Sequence, residues 1–153
     1  MTFLSRICLA GAAAIALLAT GPAQAKATAD EVVAFVKKAV AHIEEVGEQK
    51  AFADFSTPGG EWIKGELYIF CHGLDGVNVA HGGNPGLVGK NVLGFKDPDG
   101  LLVNVLIFDK VKAEKKGWVE YKWPNPETKK VEPKAIYSEL VHDKYACGSG
   151  YYK

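Results

Sequence analysis

Residues 117–140 read GWVEYKWPNPETKKVEPKAIYSEL, and this stretch predicts a long β-hairpin. Side chains in residues 118–123 alternate between two faces, as they do in a half-buried strand. Residues 124–126, PNP, lack two amide donors and cannot continue a ladder, so the chain must turn there. A second extended run, residues 134–140, returns beside the first. The hairpin is therefore the framework around which the rest of the chain is expected to pack.

The hairpin carries two tryptophans, two tyrosines and several lysines. Aromatic walls beside ammonium groups suit a small ligand that is anionic and partly apolar. The same aromatic side chains could equally well close a hydrophobic core, and the hairpin alone does not decide between these two interpretations.

Residues 1–25 have the pattern of a secretory signal peptide. Arg6 precedes an apolar run, and the run is followed by an Ala23-Gln24-Ala25 cleavage site. The apolar run is short for a membrane span. We therefore predict export to the periplasm and a single domain formed by residues 26–153.

The charge pattern of the predicted mature chain limits its ligands. Arg6 is the only arginine, so every basic residue after the signal peptide is a lysine. With a net charge of about −1, the mature chain has no basic stripe, and no nucleic-acid partner is expected. An anion would have to be bound by ammonium groups, hydroxyls or backbone amides, without a guanidinium fork.

Cys71 and Cys147 are the two cysteines that remain after cleavage. An even number of cysteines in an oxidising compartment favours one disulfide, and two buried free thiols are the alternative. By the chain-entropy model, such a bond would stabilise the fold by about 4 kcal/mol.

The residues before the hairpin predict helices and then strands. Thr28 and Glu31 form a capping box ahead of a helical apolar pattern, and a second helix is expected over residues 48–55. Residues 67–71 and 77–81 predict a β-hairpin.

Residues 101–116 fit a strand or a helix about equally well. We predict a helix, because lysines gather near its end and Gly117 provides a stop. The last strand is expected over residues 145–152. The order of elements predicts an α+β domain, in which an antiparallel sheet has helices on one face.

Short motifs spread along the mature chain together resemble those of a known family. They are YIF at 68–70, HGGNP at 81–85, LVGKN at 87–91, KDPDG at 96–100, GWVEYKWPNP at 117–126 and GSGY at 148–151. In this order they are similar to the single Cache domain family (sCache_2-like) of bacterial extracytoplasmic sensors. The resemblance covers nearly all of the mature chain.

The resemblance implies a PAS-like Cache fold with a long N-terminal helix and a five-stranded antiparallel sheet that holds a small ligand. Its members recognise small metabolites such as short carboxylates. It also implies that the first and last strands are neighbours, which would place Cys71 opposite Cys147. A typical sensor of this kind lies between two membrane helices. Here a cleavable signal replaces the first, so ligand capture is expected with a separate membrane-bound signalling or transport partner.

We predict a pocket in which a lysine binds a carboxylate while aromatic side chains surround its short tail. The first-choice residues are Tyr121, Trp123, Lys134 and Tyr137. His81 and Tyr68 are further candidates, because His81 precedes two glycines that allow close approach of the backbone. Trp118 is assigned to the core.

Other classes of site receive little support from the sequence. The four histidines and the cysteines lack metal-ligand spacing, and no cofactor motif is present, so neither a metal nor a cofactor is expected. Two further functions remain open. One is a small periplasmic enzyme that uses His81 with Lys134 or a tyrosine on an organic acid. The other is an unliganded scaffold that dimerises through its N-terminal helix.

Overall fold

A computed structural model describes residues 26–153, and the predicted signal peptide lies outside the described residues. Helix α1, Ala29–Val46, begins at the predicted capping box. The backbone N–H of Glu31 donates to the Thr28 hydroxyl, and the Glu31 carboxylate accepts the Thr28 N–H at 2.7 Å. Gly47, at φ 83°, separates α1 from α2, Glu48–Ser56. Both predicted N-terminal helices are thus confirmed.

A five-stranded antiparallel sheet with the order β4-β3-β7-β6-β5 forms the centre of the domain. The strands of the chain are β1 Ile63–Lys64, β2 Leu67–Tyr68, β3 Phe70–Gly73, β4 Asn78–His81, β5 Lys116–Pro124, β6 Val131–Val141 and β7 Tyr145–Tyr152. The short strands β1 and β2 pair separately from the main sheet. The predicted large hairpin is β5–β6, and the predicted last strand is β7.

Helix α3, Val103–Glu114, confirms that the ambiguous segment is helical. It ends at Glu114, two residues before the predicted end at residue 116, because Lys115 adopts the left-handed conformation at φ 65°. Its apolar residues Ile107, Phe108 and Val111 pack on the sheet.

The two faces of the sheet are covered differently. α1 and α2 pack together on one face, here called the helix face. α3 and the loop of residues 82–102 cover the opposite face, here called the pocket face. The expectation that the helices share one face therefore holds for α1 and α2 only. α3 packs on the other side, because the antiparallel sheet presents apolar side chains on both of its faces.

The Cys71–Cys147 disulfide is present and lies on the helix face, fully buried. The two residues are register partners on β3 and β7, with α-carbons 4.1 Å apart. The first and last strands of the main sheet, β3 and β7, are therefore neighbours, as the family resemblance implied.

Candidate functional site

Lys134 is the most unusual residue of the pocket face. It lies on β6, is only 1% exposed, and its Nζ donates to the Tyr68 hydroxyl at 2.8 Å. The ammonium also lies over two aromatic rings, 4.0 Å from the centroid of Tyr68 and 4.7 Å from that of Tyr152. Among residues 26–153, no carboxylate forms an ion pair with it.

Burying an ammonium without a counter-ion is unfavourable, and aromatic faces and one hydroxyl offset only part of that cost. Burial accordingly lowers the pKa of Lys134 to about 7, and the charge of Glu66 opposes this shift. An anion bound at Nζ would supply the missing counter-charge. The site is thus electrostatically complementary to a small anion.

His81 lies beside Tyr68, with ring centroids 5.0 Å apart. The backbone N–H of Asn84 donates to His81 Nδ1 at 3.0 Å, so the proton of the neutral ring is on Nε2. Burial lowers the pKa of His81 to about 3, and nearby His72 and Lys134 contribute, so the ring is neutral. His81 therefore offers one N–H donor close to the buried ammonium.

Gly83 allows the chain after His81 to approach the Tyr68 ring. A Cβ built at Gly83 would lie 2.6 Å from Tyr68 Cε1, which is closer than real contacts allow. The two glycines predicted to permit close approach of the backbone thus bring it against Tyr68, which itself contacts Lys134.

Tyr121 and Trp123 form the wall on the β5 side of the pocket face. Their rings meet edge to face at 5.9 Å, and Trp123 stacks on Phe95 of the covering loop at 6.5 Å. Asp97 holds this loop to β5, because its carboxylate accepts the backbone N–H of Lys122 at 3.1 Å. The wall and its cover are therefore tied together.

A cavity of about 10 Å³ remains under the loop, which is room for about one water molecule. It is lined by aromatic, aliphatic and polar side chains, namely Tyr68, Phe70, His72, His81, Leu87, Val92, Phe95, Val103, Asn104, Tyr121 and Trp123. A carboxylate of four or more heavy atoms would have to displace some of these side chains.

The structure brings Tyr68, His81, Tyr121, Trp123 and Lys134 together, but not Tyr137. Tyr137 lies on the helix face, where it packs against Trp118 at 5.5 Å. The prediction that Tyr137 lines the pocket is therefore wrong. The physical reason is the two-residue period of a strand, which puts residues 134 and 137 of β6 on opposite faces. Trp118 packs against the core, as predicted.

Three pocket-face residues were missed by the sequence reasoning: Tyr152, His72 and Asn78. Tyr152 is the register partner of Lys134, and its hydroxyl donates to the carbonyl of Pro124 at 2.8 Å. The alternation of β7 could have assigned Tyr152 to a face, but the register of β7 against β6 was needed to bring it to Lys134.

A larger cleft of about 730 Å³ lies elsewhere, between the start of α1, the β1–β2 hairpin and the β5–β6 turn. Lysines and glutamates line it in equal number: Lys26, Lys38, Lys64 and Lys153 with Glu31, Glu66, Glu127 and Glu132. Charges of both signs that are mostly solvent-exposed give little preference for an anion. We therefore place the candidate site at Lys134 and the smaller cavity beside it, which is lined by the Tyr68 ring that Lys134 contacts.

Comparison with known proteins agrees with this architecture. The chain matches the family described as Single Cache domain 2 over residues 20–143. It is similar to the structure of a methyl-accepting chemotaxis protein from Vibrio parahaemolyticus RIMD 2210633, with 23% identity, a TM-score of 0.70, and coverage of 80% of this chain and 86% of that one. No curated protein matches the chain.

Two further solved structures are similar. One is described as "Structural basis for carboxylic acid recognition by a Cache chemosensory domain", with 26% identity, a TM-score of 0.69, and coverage of 80% of this chain and 91% of that one. The other is a "Periplasmic sensor domain of chemotaxis protein", with 24% identity, a TM-score of 0.61, and coverage of 78% and 86%.

The PAS-like sheet and the family match together define a sensory domain of the chemoreceptor type. The chain belongs to the Single Cache domain 2 family. Cache domains of this type are sensory rather than catalytic. In the described part of the chain, no helix is long and apolar enough to cross a membrane, and no group of three metal-binding side chains occurs there.

Proposed function

We propose that this protein is a periplasmic Cache domain that binds a short monocarboxylate of about two to four carbons. The observation that carries the proposal is the buried Lys134 ammonium, which is 1% exposed and has no ion pair among the described residues. The solved Cache domain described as recognising carboxylic acid, 26% identical to this chain, supports the same ligand class.

The donors around Lys134 suit one carboxylate. One carboxylate oxygen would accept from Nζ of Lys134, and the other would accept from the Nε2–H of His81 or the hydroxyl of Tyr68. The carbon tail would lie against Tyr121 and Trp123, where removal of apolar surface from water favours binding. This arrangement explains why one lysine is sufficient and why no arginine is needed.

Such a ligand must open the cavity of about 10 Å³. The covering loop contributes three side chains to the cavity lining, Leu87, Val92 and Phe95. We propose that the ligand enters when Phe95 moves away together with its stacking partner Trp123 on β5. A larger ligand would require more displacement, and the proposal is therefore limited to small acids.

We also propose that residues 26–153 are exported as a single periplasmic domain. A membrane-bound signalling or transport partner would then distinguish the ligand-bound domain from the free one. The buried disulfide supports an oxidising compartment. The similar structure of a periplasmic sensor domain of a chemotaxis protein also supports a periplasmic location. Binding is expected without turnover, so that the acid should be recovered unchanged.

The direct test is isothermal titration calorimetry of the purified protein with acetate, propionate and butyrate. Butylamine, glucose and alanine serve as ligands of other classes. Lys134→Met keeps the apolar stem and removes the charge, and we expect it to weaken carboxylate binding by about 2–3 kcal/mol. The matched control is Lys130→Met, because Lys130 lies in the exposed β5–β6 connection.

Binding of the amine, the sugar or the amino acid with no binding of the three carboxylates would contradict the proposal. So would equal carboxylate affinities for the Lys134→Met and Lys130→Met variants. Thermal denaturation of each variant shows whether its fold is intact, because a ligand that binds only the native state raises the melting temperature.

A further inference from the structure

Two buried polar side chains lie next to each other on the pocket face without hydrogen-bond partners. His72 on β3 and Asn78 on β4 are 5% and 0% exposed. His72 Nδ1 and both polar atoms of the Asn78 side chain have no partner among residues 26–153. The two residues are direct register partners, so their side chains project from the same face of the sheet, about 4.5–5.5 Å apart at Cβ.

Burial of unpartnered polar groups is costly, and a native fold rarely retains three such atoms in one place. Two apolar rings pack against His72: Phe70 stacks on it at 5.0 Å, and Phe108 meets it edge-on at 6.4 Å. A leucine or phenylalanine would pack well among these rings. The polar pair is thus not explained by packing.

His72 belongs to the candidate site, because it lines the same cavity as Tyr68 and His81. Tyr68 lies against the Lys134 ammonium, the His81 ring centroid is 5.0 Å from that of Tyr68, and the His72 ring centroid is 6.4 Å from that of His81. His72, with its register partner Asn78 beside it on β4, is therefore separated from the charge by the rings of Tyr68 and His81.

The chemistry of the pair selects one kind of ligand group. The amide of Asn78 offers a donor and an acceptor, and the ring of His72 offers one or the other according to its tautomer. Burial lowers the pKa of His72 to about 3, so the ring is neutral. A second carboxylate would meet no positive charge here. A hydroxyl group, which both donates and accepts, matches the pair.

We infer that His72 and Asn78 form a second subsite that binds a hydroxyl group at the end of the ligand remote from its carboxylate. The ligand class is then a short hydroxymonocarboxylate with the hydroxyl on carbon 3 or beyond. This inference rests on the proposed carboxylate binding at Lys134 and names the ligand of the same site more closely.

The test is a calorimetric comparison of butyrate with 2-, 3- and 4-hydroxybutyrate, acids that differ only in the hydroxyl. We expect the 3- or the 4-hydroxy acid to bind roughly tenfold to a hundredfold more tightly than butyrate, the scale of satisfying buried polar groups. His72→Leu should abolish this preference, so that the 3- and 4-hydroxy acids bind no more tightly to the variant than butyrate does. Its melting temperature should be unchanged or higher, because an unpartnered buried group has been removed.

Asn78→Ala should also reduce the preference, and it keeps the test decisive if His72→Leu fails to fold. The matched control is His42→Leu, the same substitution on the helix face, which should leave the preference unchanged. Equal or tighter binding of butyrate or of 2-hydroxybutyrate, relative to the 3- and 4-hydroxy acids, overturns the inference. Carboxylate binding itself would then still stand. If none of the four acids binds, the proposed function fails first.

Discussion

The two faces of the central sheet differ in whether their polar side chains have partners. The helix face is an apolar core in which the disulfide is fully buried and Phe55 meets Trp62 at 4.8 Å. Polar groups at its margin have partners, such as His42 with Asp54 at 2.9 Å. The pocket face instead buries Lys134 without an ion pair, and it leaves His72 Nδ1 and both polar atoms of the Asn78 side chain without hydrogen-bond partners among the described residues. The helix face therefore contributes mainly to stability, whereas the pocket face carries the polar groups that we propose as the ligand site.

This division is what the physics of folding leads one to expect of a binding domain. At most positions of a folded protein, the secondary-structure preference of the residue, the pattern of apolar side chains and the hydrogen bonding of buried polar groups favour the same structure. They disagree mainly at functional sites. In this domain the disagreements are gathered on one face. Substitutions on the two faces should consequently change different measured quantities.

The largest expected effect comes from the helix face. Phe55→Ala should lower the free energy of unfolding by about 3–5 kcal/mol, because a fully buried aromatic ring is removed and a cavity remains. Urea denaturation measures this loss. Phe95→Ala, which removes a half-buried ring from the loop on the pocket face, is the matched control and should cost clearly less. Equal losses would contradict the division between the faces.

The disulfide is expected to have the next largest effect. The double substitution Cys71→Ala and Cys147→Ala should lower the free energy of unfolding by about 2–4 kcal/mol, since the bond closes a long loop and restricts the unfolded chain. Chemical denaturation with and without reductant gives the value. The double variant should be insensitive to reductant. A wild-type protein that also showed no response to reductant would argue against the bond.

A smaller effect concerns the pH dependence of binding at Lys134. Its pKa is lowered to about 7, and a carboxylate requires the charged ammonium, so affinity should fall by about tenfold per pH unit above that value. Calorimetry at several pH values should show proton uptake on binding. Lys134→Met should have weak, pH-independent affinity. A wild-type affinity that stayed constant from pH 6 to about 9 would show that the charge is not used.

The same shift predicts the pH dependence of stability in the unliganded protein. The unfolded chain holds the Lys134 proton up to its ordinary pKa of 10.5, whereas the folded chain releases it near 7. Between these values the unfolded state binds more protons, so this residue makes the protein more stable as the pH rises. Lys134→Met should remove that rise, as followed by the urea midpoint across this range.

The smallest predicted effect lies at the margin of the helix face. His142 contacts Glu44 and Glu48, each at 2.8 Å, and these hydrogen bonds raise the pKa of His142. Its stabilising contribution is therefore fully present below pH 6.5 and is lost as the pH rises through the higher folded value. His142→Gln should remove this component of the pH dependence. Because the site is exposed, salt should weaken it as well.

Sequence patterns determined most of the secondary structure. The capping box at Thr28 and the turn that begins at residues 124–126 each depend on local backbone chemistry, which a short stretch of sequence contains in full. Lys134 could be predicted as a candidate ligand contact, because it is a charged residue inside an aromatic hairpin; the structure shows that it is buried, and its contact with a ligand stays a prediction. The pairing of Cys71 with Cys147 followed from the neighbouring strands that the family resemblance implied.

The composition of the site was decided by the tertiary structure. Tyr137 was wrongly placed with Lys134, although the alternation of one strand already separates them. Tyr152, His72 and Asn78 reach the pocket face through the register of β7 on β6 and of β3 on β4. Register depends on contacts between residues far apart in the chain, so no local pattern states it. Whether a buried polar atom has a hydrogen-bond partner depends on the same contacts. The proposed hydroxyl subsite rests on the unpartnered atoms of His72 and Asn78, so it could not be predicted from the sequence.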